Sequence, residues 1–292
     1  MSSKRLTPFE RFIRQCLRED VGAGDVTSRS VIPSARRIRA EVITKQSGVV
    51  AGTALTRAIF LAMSRGIRCR IECHDGQRVR AGQAILRLDG PARAILAAER
   101  TALNSLGHFS GIATLTAEYV RRVKPHPVKI LDTRKTIPSW RVQQKQAVKA
   151  GGGWNHRMGL DDAILIKTNH LKVLGQGRYA RREALIPEAI ARAKRRAPGR
   201  AIELEVATLA ECRAALDAGV EMILLDNMRV ADIRRAVQWR NQRPSPRPLL
   251  EVSGGVTLEN VRQLAATGVD RISVGRLTHS APALDVSLRV IE

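Results

Sequence analysis

The feature that most constrains the fold is an alternation of short apolar segments with helical segments between Val128 and Gly275. Short runs rich in Val, Ile and Leu are typical of strands buried on both faces of a parallel sheet. The strand candidates are VKILDT (128–133), AILIK (163–167), AIELEV (201–206), MILLD (222–226), LLEVSG (249–254) and RISVG (271–275). The helix candidates are residues 140–150, 186–197, 209–218, 230–239 and 258–266. This alternation predicts a parallel sheet covered by helices.

The strands are short and close together in sequence, which favours an α/β barrel, with room for fewer than eight strands, over an open doubly wound sheet. A dinucleotide-binding fold is also disfavoured, because no GxGxxG motif opens the first unit.

The segment before this alternation is mixed α and β. An amphipathic helix is predicted over residues 8–18, and a long helix is predicted from Ala92 onward. Short strands are expected over residues 37–52 and 68–91, with Asp75-Gly76, Ala81-Gly82 and Asp89-Gly90 interpreted as turns. With 292 residues, the chain can form a barrel-sized domain and an additional module.

The predicted barrel strands end in polar residues. Active sites of α/β barrels lie at the carboxyl ends of the strands, so these residues are expected to converge. They comprise Asp132, Arg134, Lys135, Lys167, Glu205, Asp226, the segment Ser253-Gly254-Gly255 and the segment Ser273-Val274-Gly275. A single charged strand end would indicate only a solvated rim, whereas several such ends predict a shared site.

The predicted site is rich in cations, because His156 and Arg157 follow the glycine run 151–153 and add to Arg134, Lys135 and Lys167. Arginine binds carboxylates and phosphates through paired donors, and lysine acts as a movable charge. Such a group is self-repelling without an anionic ligand, so the pattern predicts a ligand with several negative groups. The two glycine-containing segments on late strands are candidates for a phosphate cradle.

Glu205 and Asp226 are predicted on neighbouring strand ends. They could bind Mg²⁺, act as a base or stabilise a developing cation. An acid pair inside a cationic cavity suits transfer of a ribosyl group from a pyrophosphate donor, because carboxylates favour an oxocarbenium-like sugar while cations hold the departing pyrophosphate.

The net charge of +23 raises the question of a polyanionic partner. Nucleic acid is disfavoured, because aromatic residues make up only 3% of the chain and the basic residues are dispersed.

The sequence has no apolar run of membrane-spanning length and no apolar signal core near its start, so a cytoplasmic protein is expected. The four cysteines do not form a disulfide framework, and Cys69, Cys73 and His74 lack a second ligand pair for zinc.

Several long segments, in the same order, resemble the quinolinate phosphoribosyltransferase family. They include REDVGAGDVTS, AERTALNSLGHFSGIATLT, LDTRKTIP, AVKAGGGWNHRMGLDDAILIKTNH, ILLDNM, EVSGGVTLENV and SVGRLTHSAPALDVSL. The resemblance implies an N-terminal α/β sandwich domain (1–112) joined by a C-terminal tail (279–292), and an incomplete α/β barrel (113–278). It also implies conversion of quinolinate and phosphoribosyl pyrophosphate to nicotinate mononucleotide, pyrophosphate and CO₂ with Mg²⁺, in NAD biosynthesis.

The resemblance further implies the role of each residue. Arg134, His156 and Arg157 would hold the quinolinate carboxylates, with Lys135 and Lys167 between acceptor and donor. Glu205 and Asp226 would lie at the ribose and its metal. Ser253, Gly254 and Gly275, with the neighbouring Gly255, Ser273 and Val274, would receive the 5′-phosphate. Family members are homodimers or larger assemblies of dimers, in which Arg100 would reach the partner subunit's site.

Two departures from the family pattern stand near the site. Thr168 replaces an acid that usually follows the lysine, and Gln146 stands where an aromatic is common; neither is expected to touch the chemistry. Two alternatives remain open from the sequence. One is a relative of the same fold that works in molybdenum metabolism, which the intact Asn155-His156-Arg157 run disfavours. The other is a basic nucleic-acid-binding protein on an inactive enzyme fold.

Overall fold

The computed structural model describes residues 7–176 and 181–292. These residues form two compact units. Unit 1 is built from residues 7–117, 142–152 and 280–292, and unit 2 from residues 118–141, 153–176 and 181–279.

Helices and strands alternate through most of the described chain. The helices are α1 Pro8–Val21, α2 Val26–Val31, α3 Thr53–Met63, α4 Ala92–Val123, α5 Arg141–Ala150, α6 Thr168–Leu174, α7 Arg182–Arg196, α8 Leu209–Asp217, α9 Val230–Asn241, α10 Val261–Ala265 and α11 Arg276–His279. The strands are β1 Arg37–Thr44, β2 Gly48–Val49, β3 Arg68–Ile71, β4 Arg78–Val79, β5 Ala84–Pro91, β6 Lys129–Leu131, β7 Ile164–Ile166, β8 Ile202–Val206, β9 Met222–Asp226, β10 Leu249–Ser253, β11 Arg271–Ser273 and β12 Val286–Val290.

Unit 2 contains a parallel six-stranded sheet with the order β6-β11-β10-β9-β8-β7. All six strands were predicted from their apolar runs, and their central residues, such as Leu204, Ile223 and Leu250, are fully buried. Within the described residues β6 and β7 pair with no further strand, so the sheet runs in barrel order but is not closed. The predicted incomplete α/β barrel is confirmed.

Local signals place the helices of unit 2 where the sequence predicts them. Thr208 and Glu211 form a capping box at the start of α8, in which each side chain bonds the other's backbone N–H. The helix is followed by Gly219, which adopts a φ of 64°, a conformation that favours glycine. These signals set the path from the end of β8 to the start of β9.

Unit 1 contains an antiparallel four-stranded sheet with the order β12-β1-β5-β3. The C-terminal strand β12 pairs with β1, with Val42 opposite Leu288. The interpretation of Asp89-Gly90 as a turn is wrong, because both residues lie inside β5 and pair with Arg39 and Ile38. A Cβ on Gly90 would lie 2.9 Å from the Ile67 Cα, so this glycine allows a close backbone approach.

Among the helices of the described ranges, none combines the length and the apolar character needed to cross a membrane.

Candidate active site

A cavity of about 760 Å³ lies in unit 2 at the carboxyl ends of the sheet strands. The loops after β6 and β7, the ends of β8 and β9, and the segments after β10 and β11 all contribute to its wall. The lining residues are Thr133, Arg134, Lys135, His156, Arg157, Leu165, Lys167, Asn169, Glu205, Leu224, Asp226, Asn227, Ser253, Gly254, Gly255, Val256, Thr257, Ser273, Val274, Gly275, Arg276 and His279. The structure therefore brings together the predicted site residues of unit 2 except Asp132, which is fully buried and lies outside the cavity wall.

Two arginines give the cavity a strongly positive region. The Nε of Arg134 is buried and has no hydrogen-bond partner among the described residues, although a buried donor of this kind is costly to leave unsatisfied. The Arg157 guanidinium donates from Nη1 to the Ala163 carbonyl at 2.9 Å. Burial, followed by the charge of Arg134, lowers the pKa of Arg157. Both arginines are thus placed to gain from an anionic ligand.

The side chain of His156 lies against two buried glutamates. Its Nε2 is 3.0 Å from Glu203 Oε2 and 3.4 Å from Glu251 Oε1, and the two glutamate side chains are 3% and 1% exposed. Burial lowers the pKa of His156, but the hydrogen bonds and charges of the glutamates outweigh it and raise this pKa to about 10.

The protonation of His156 involves two opposing observations. The Arg157 amide donates to Nδ1 at 2.8 Å, as it would to a neutral ring. Charge balance favours the imidazolium, because His156 is the only ion-pair partner of Glu203 and Glu251 among the described residues. Nδ1 accepts from the Arg157 amide and Nε2 faces the two glutamates, so in this geometry His156 offers no ring N–H to a ligand. The backbone N–H of His156 also donates to the buried Asp132 at 2.9 Å.

Glu205 and Asp226 supply the negative side of the cavity. They lie on the adjacent parallel strands β8 and β9. Glu205 Oε2 is 3.7 Å from Lys167 Nζ, so Lys167 has a counter-charge in the protein even before a ligand binds. The Asn227 side chain donates to Asp226 at 3.1 Å. Oxygen ligands of this kind are those that Mg²⁺ prefers.

Thr168 contacts a predicted site residue, Glu205, and this contact was not predicted from the sequence. Its backbone N–H and its hydroxyl both donate to Glu205 Oε1, at 3.1 Å and 2.9 Å. Thr168 starts α6 and lies directly after Lys167, so one short segment contacts both oxygens of the Glu205 carboxylate.

The glycine-containing segments after β10 and β11 bring backbone close to the cavity. Gly254 adopts a φ of 86°, and a Cβ at this position would lie 2.3 Å from Asn227 Oδ1. A Cβ on Gly275 would lie 3.0 Å from Lys135 Cδ. The positive φ of Gly254 therefore favours glycine, whereas a side chain at Gly275 would require the Lys135 side chain to shift.

The glycine run at 151–153 serves packing as well as turning. Gly152 has a φ of 85°, as a tight turn requires. A Cβ on Gly151 would lie 2.4 Å from the Ala113 carbonyl oxygen, so Gly151 also allows close contact with α4. After this turn the Trp154 N–H donates to the Ile130 carbonyl at 2.8 Å, and the chain then leads to His156.

Arg100 is the one predicted site residue that lies in unit 1, where it is exposed on α4. Sequence reasoning missed several cavity residues, which are Thr133, Leu165, Asn169, Leu224, Asn227, Val256, Thr257, Arg276 and His279. Most of them are within a few residues of a predicted strand end, and that position is the signal that could have identified them. The pairing of His156 with Glu203 and Glu251 was also not predicted from the sequence.

Family models match almost the whole chain. The model described as "Quinolinate phosphoribosyl transferase, N-terminal domain" matches residues 25–110, and the one for the C-terminal domain matches residues 112–289.

Curated relatives and solved structures agree with these models. The chain is 40% identical to "Nicotinate-nucleotide pyrophosphorylase [carboxylating]" of Mycobacterium leprae, over 94% of this chain and 95% of the relative. It is 37% identical to "Quinolinate phosphoribosyltransferase [decarboxylating] 1" of Nicotiana glauca, over 95% of this chain and 81% of the relative. The structure of the nicotinate-nucleotide pyrophosphorylase from Francisella tularensis superposes with a TM-score of 0.88 at 36% identity, over 97% of this chain and 96% of that one.

Proposed function

The chain belongs to the quinolinate phosphoribosyltransferase family, and on this premise we propose that its cavity transfers the phosphoribosyl group of phosphoribosyl pyrophosphate to quinolinate. The products are nicotinate mononucleotide, pyrophosphate and CO₂, and the reaction belongs to de novo NAD biosynthesis. The observation that carries this proposal is the composition of a single cavity, which is lined by two arginines, a carboxylate pair and two glycine-containing segments.

The arginine side is the acceptor site. Quinolinate carries two adjacent carboxylates, and a guanidinium can bind a carboxylate through two parallel hydrogen bonds. Arg134 offers a buried Nε–H that lacks an acceptor, and Arg157 uses Nη1 for the Ala163 carbonyl and keeps its other donors for a ligand. His156 lines the same cavity, but its Nε2 is paired with Glu203 and Glu251 rather than directed to a ligand.

The carboxylate pair is the ribose site. As the bond from the anomeric carbon to pyrophosphate breaks, positive charge develops on the sugar, and Glu205 and Asp226 stabilise it. The same carboxylates would hold Mg²⁺, which, when bound, neutralises the leaving pyrophosphate. Lys135 and Lys167 line the same cavity. We assign them to the boundary between acceptor and donor, where they would favour negative charge.

The glycine-containing cradle is the 5′-phosphate site. Ser253, Gly254 and Gly255 follow β10, and Ser273, Val274 and Gly275 follow β11. Backbone N–H groups at the ends of late barrel strands commonly bind phosphate. The close approach at Gly254 and Gly275 supports this assignment, because a side chain there would occupy the space.

Loss of CO₂ follows ribosylation of the ring nitrogen. The C–C bond to the adjacent carboxylate breaks, its electron pair stays on the ring carbon, and the cationic nitrogen stabilises this carbanion as an ylide until a proton replaces CO₂. The arginines orient the carboxylates for this step.

The assembly and location are further parts of the proposal. We infer a homodimer, or a larger assembly of dimers, in which Arg100 of each subunit completes the partner's acceptor site. Its exposed position on α4 supports this role, because an exposed arginine is available to a second subunit. A cytoplasmic location accords with the charged residues of the N-terminal segment.

Turnover tests the proposal directly. Quinolinate labelled at the carboxylate next to the ring nitrogen is incubated with the protein, phosphoribosyl pyrophosphate and Mg²⁺, and both CO₂ and nicotinate mononucleotide are measured. Equal amounts of the two products are expected. Activity on a different acceptor without CO₂ release would indicate the molybdenum-related alternative.

A further inference from the structure

Thr168 lies outside the cavity wall but contacts a residue that forms it. Its hydroxyl donates to Glu205 Oε1 at 2.9 Å, and its backbone N–H donates to the same oxygen at 3.1 Å. The other oxygen, Oε2, faces Lys167 Nζ at 3.7 Å. The Glu205 side chain is therefore restrained from both sides while it remains 12% exposed toward the cavity.

The sheet register explains why this contact forms. Strands β7 and β8 are parallel neighbours, with Ile166 opposite Leu204. One step further along each strand, Lys167 and Glu205 are adjacent, and the chain then turns into α6 at Thr168. A donor at this position necessarily faces the glutamate.

Without the Thr168 hydroxyl, one hydrogen bond fewer would oppose the attraction of the Glu205 carboxylate to the Lys167 ammonium group. A glutamate has several rotatable bonds, and a distance of 3.7 Å leaves room for a closer ion pair with the lysine. Such a pair would turn the carboxylate away from the sugar and neutralise both charges that the reaction uses.

We propose that Thr168 is a positioning residue, whose hydroxyl holds the Glu205 carboxylate toward the ribose and apart from Lys167. This inference rests on the proposed function of Glu205. Glu205 thus has two neighbours with different roles. Thr168 is a neutral hydrogen-bond donor that positions the carboxylate, and Lys167 carries a charge that the proposed reaction uses.

The test compares Thr168→Val, which keeps the shape and the backbone donor but lacks the hydroxyl, with Thr168→Ser, which keeps the hydroxyl. The loss of one hydrogen bond to a charged group predicts a kcat about 10-fold lower for the valine variant. The serine variant is expected to match the wild type, and quinolinate affinity by calorimetry should stay within about 2-fold in both, since the acceptor site is untouched.

A double-mutant cycle separates positioning from a merely structural role. If Thr168 acts through Glu205, adding Thr168→Val to Glu205→Ala, which removes the acceptor, should cause little further loss of kcat. An equal additional loss in the double variant, equal slowing by valine and serine, or a fully active valine variant would each overturn the inference.

Failure of the proposed function would be distinguishable. If the proposed function is wrong, the wild-type protein releases no CO₂ from quinolinate. If only the role of Thr168 is wrong, the wild type releases CO₂ and Thr168→Val has the same kcat. Crystal structures of the wild type and of Thr168→Val test the role of Thr168 independently of any activity measurement. A carboxylate turned toward Lys167 in the variant supports it, and an unchanged Glu205 conformation contradicts it.

Discussion

Replacing Arg157 tests the acceptor site in a way that separates binding from chemistry. The structure places its guanidinium in the cavity with one nitrogen on the Ala163 carbonyl, so a ligand carboxylate can receive two hydrogen bonds from the remaining donors. A hydrogen bond to a charged group contributes about 1.5–3 kcal/mol. Removing the side chain also relieves repulsion from Arg134, the charge that helps lower the pKa of Arg157.

The net expectation for Arg157→Ala is a loss of about 3 kcal/mol, which is roughly a 100-fold higher Kd for quinolinate. Arg157→Lys keeps the charge but lacks the paired donors, so about a 10-fold increase is expected. The measurement is calorimetric titration with quinolinate, combined with steady-state kinetics in which kcat at saturating quinolinate changes far less than kcat/KM.

Arg200→Ala is the matched control. Arg200 also anchors the loop before β7, by donating to the Asp161 and Asp162 carbonyls, but it is exposed and lies outside the cavity wall. If Arg157 acted only by holding this loop, the two alanine variants would weaken quinolinate binding equally. That result, or a Kd for Arg157→Ala within about 3-fold of the wild type, would refute the carboxylate assignment.

Three other variants test the remaining parts of the site. Glu205→Ala should lower kcat by a factor on the order of 100 with little change in quinolinate Kd, because it removes stabilisation of the charged sugar. Gly254→Ala should raise the KM for phosphoribosyl pyrophosphate at least about 10-fold, because Gly254 has a positive φ and the added Cβ would collide with Asn227. An unchanged KM would exclude Gly254 from the phosphate cradle. His156→Ala should lower the free energy of unfolding by about 3–5 kcal/mol at neutral pH, because Glu203 and Glu251 lose their counter-charge. The variant should therefore melt at a lower temperature than the wild type. The pKa of His156 in the folded protein is about 10, above the usual 6.5, so its contribution to stability is complete below pH 6.5 and is lost as pH rises toward 10. The melting temperatures of the wild type and the variant should therefore converge at high pH. A difference that stays constant with pH would contradict the ion pair.

The sequence predicted the six strands of unit 2 because each is a short segment that contains the Val, Ile or Leu residues of the buried core. It predicted the convergence of Arg134, Lys167, Glu205 and Asp226 because all strands of a parallel sheet end at the same edge. These features depend on local composition and on one general rule of topology.

What the sequence did not reveal depends on contacts between distant segments. The Asp89-Gly90 pair looks like a turn locally, and only the proximity of Ile67 shows why glycine is needed inside β5. The bond from Thr168 to Glu205 depends on the register of β7 against β8, which no local pattern contains. The assembly of His156 with two buried glutamates depends in the same way on a loop lying over β8 and β10.

The acceptor assignment is tested most directly by a crystal structure of the protein with quinolinate bound. We expect one carboxylate within hydrogen-bond distance of Arg157, an acceptor on Arg134 Nε, and the ring nitrogen facing the ribose side toward Glu205. Quinolinate bound elsewhere, or in this cavity with its carboxylates away from both arginines, would contradict the central claim.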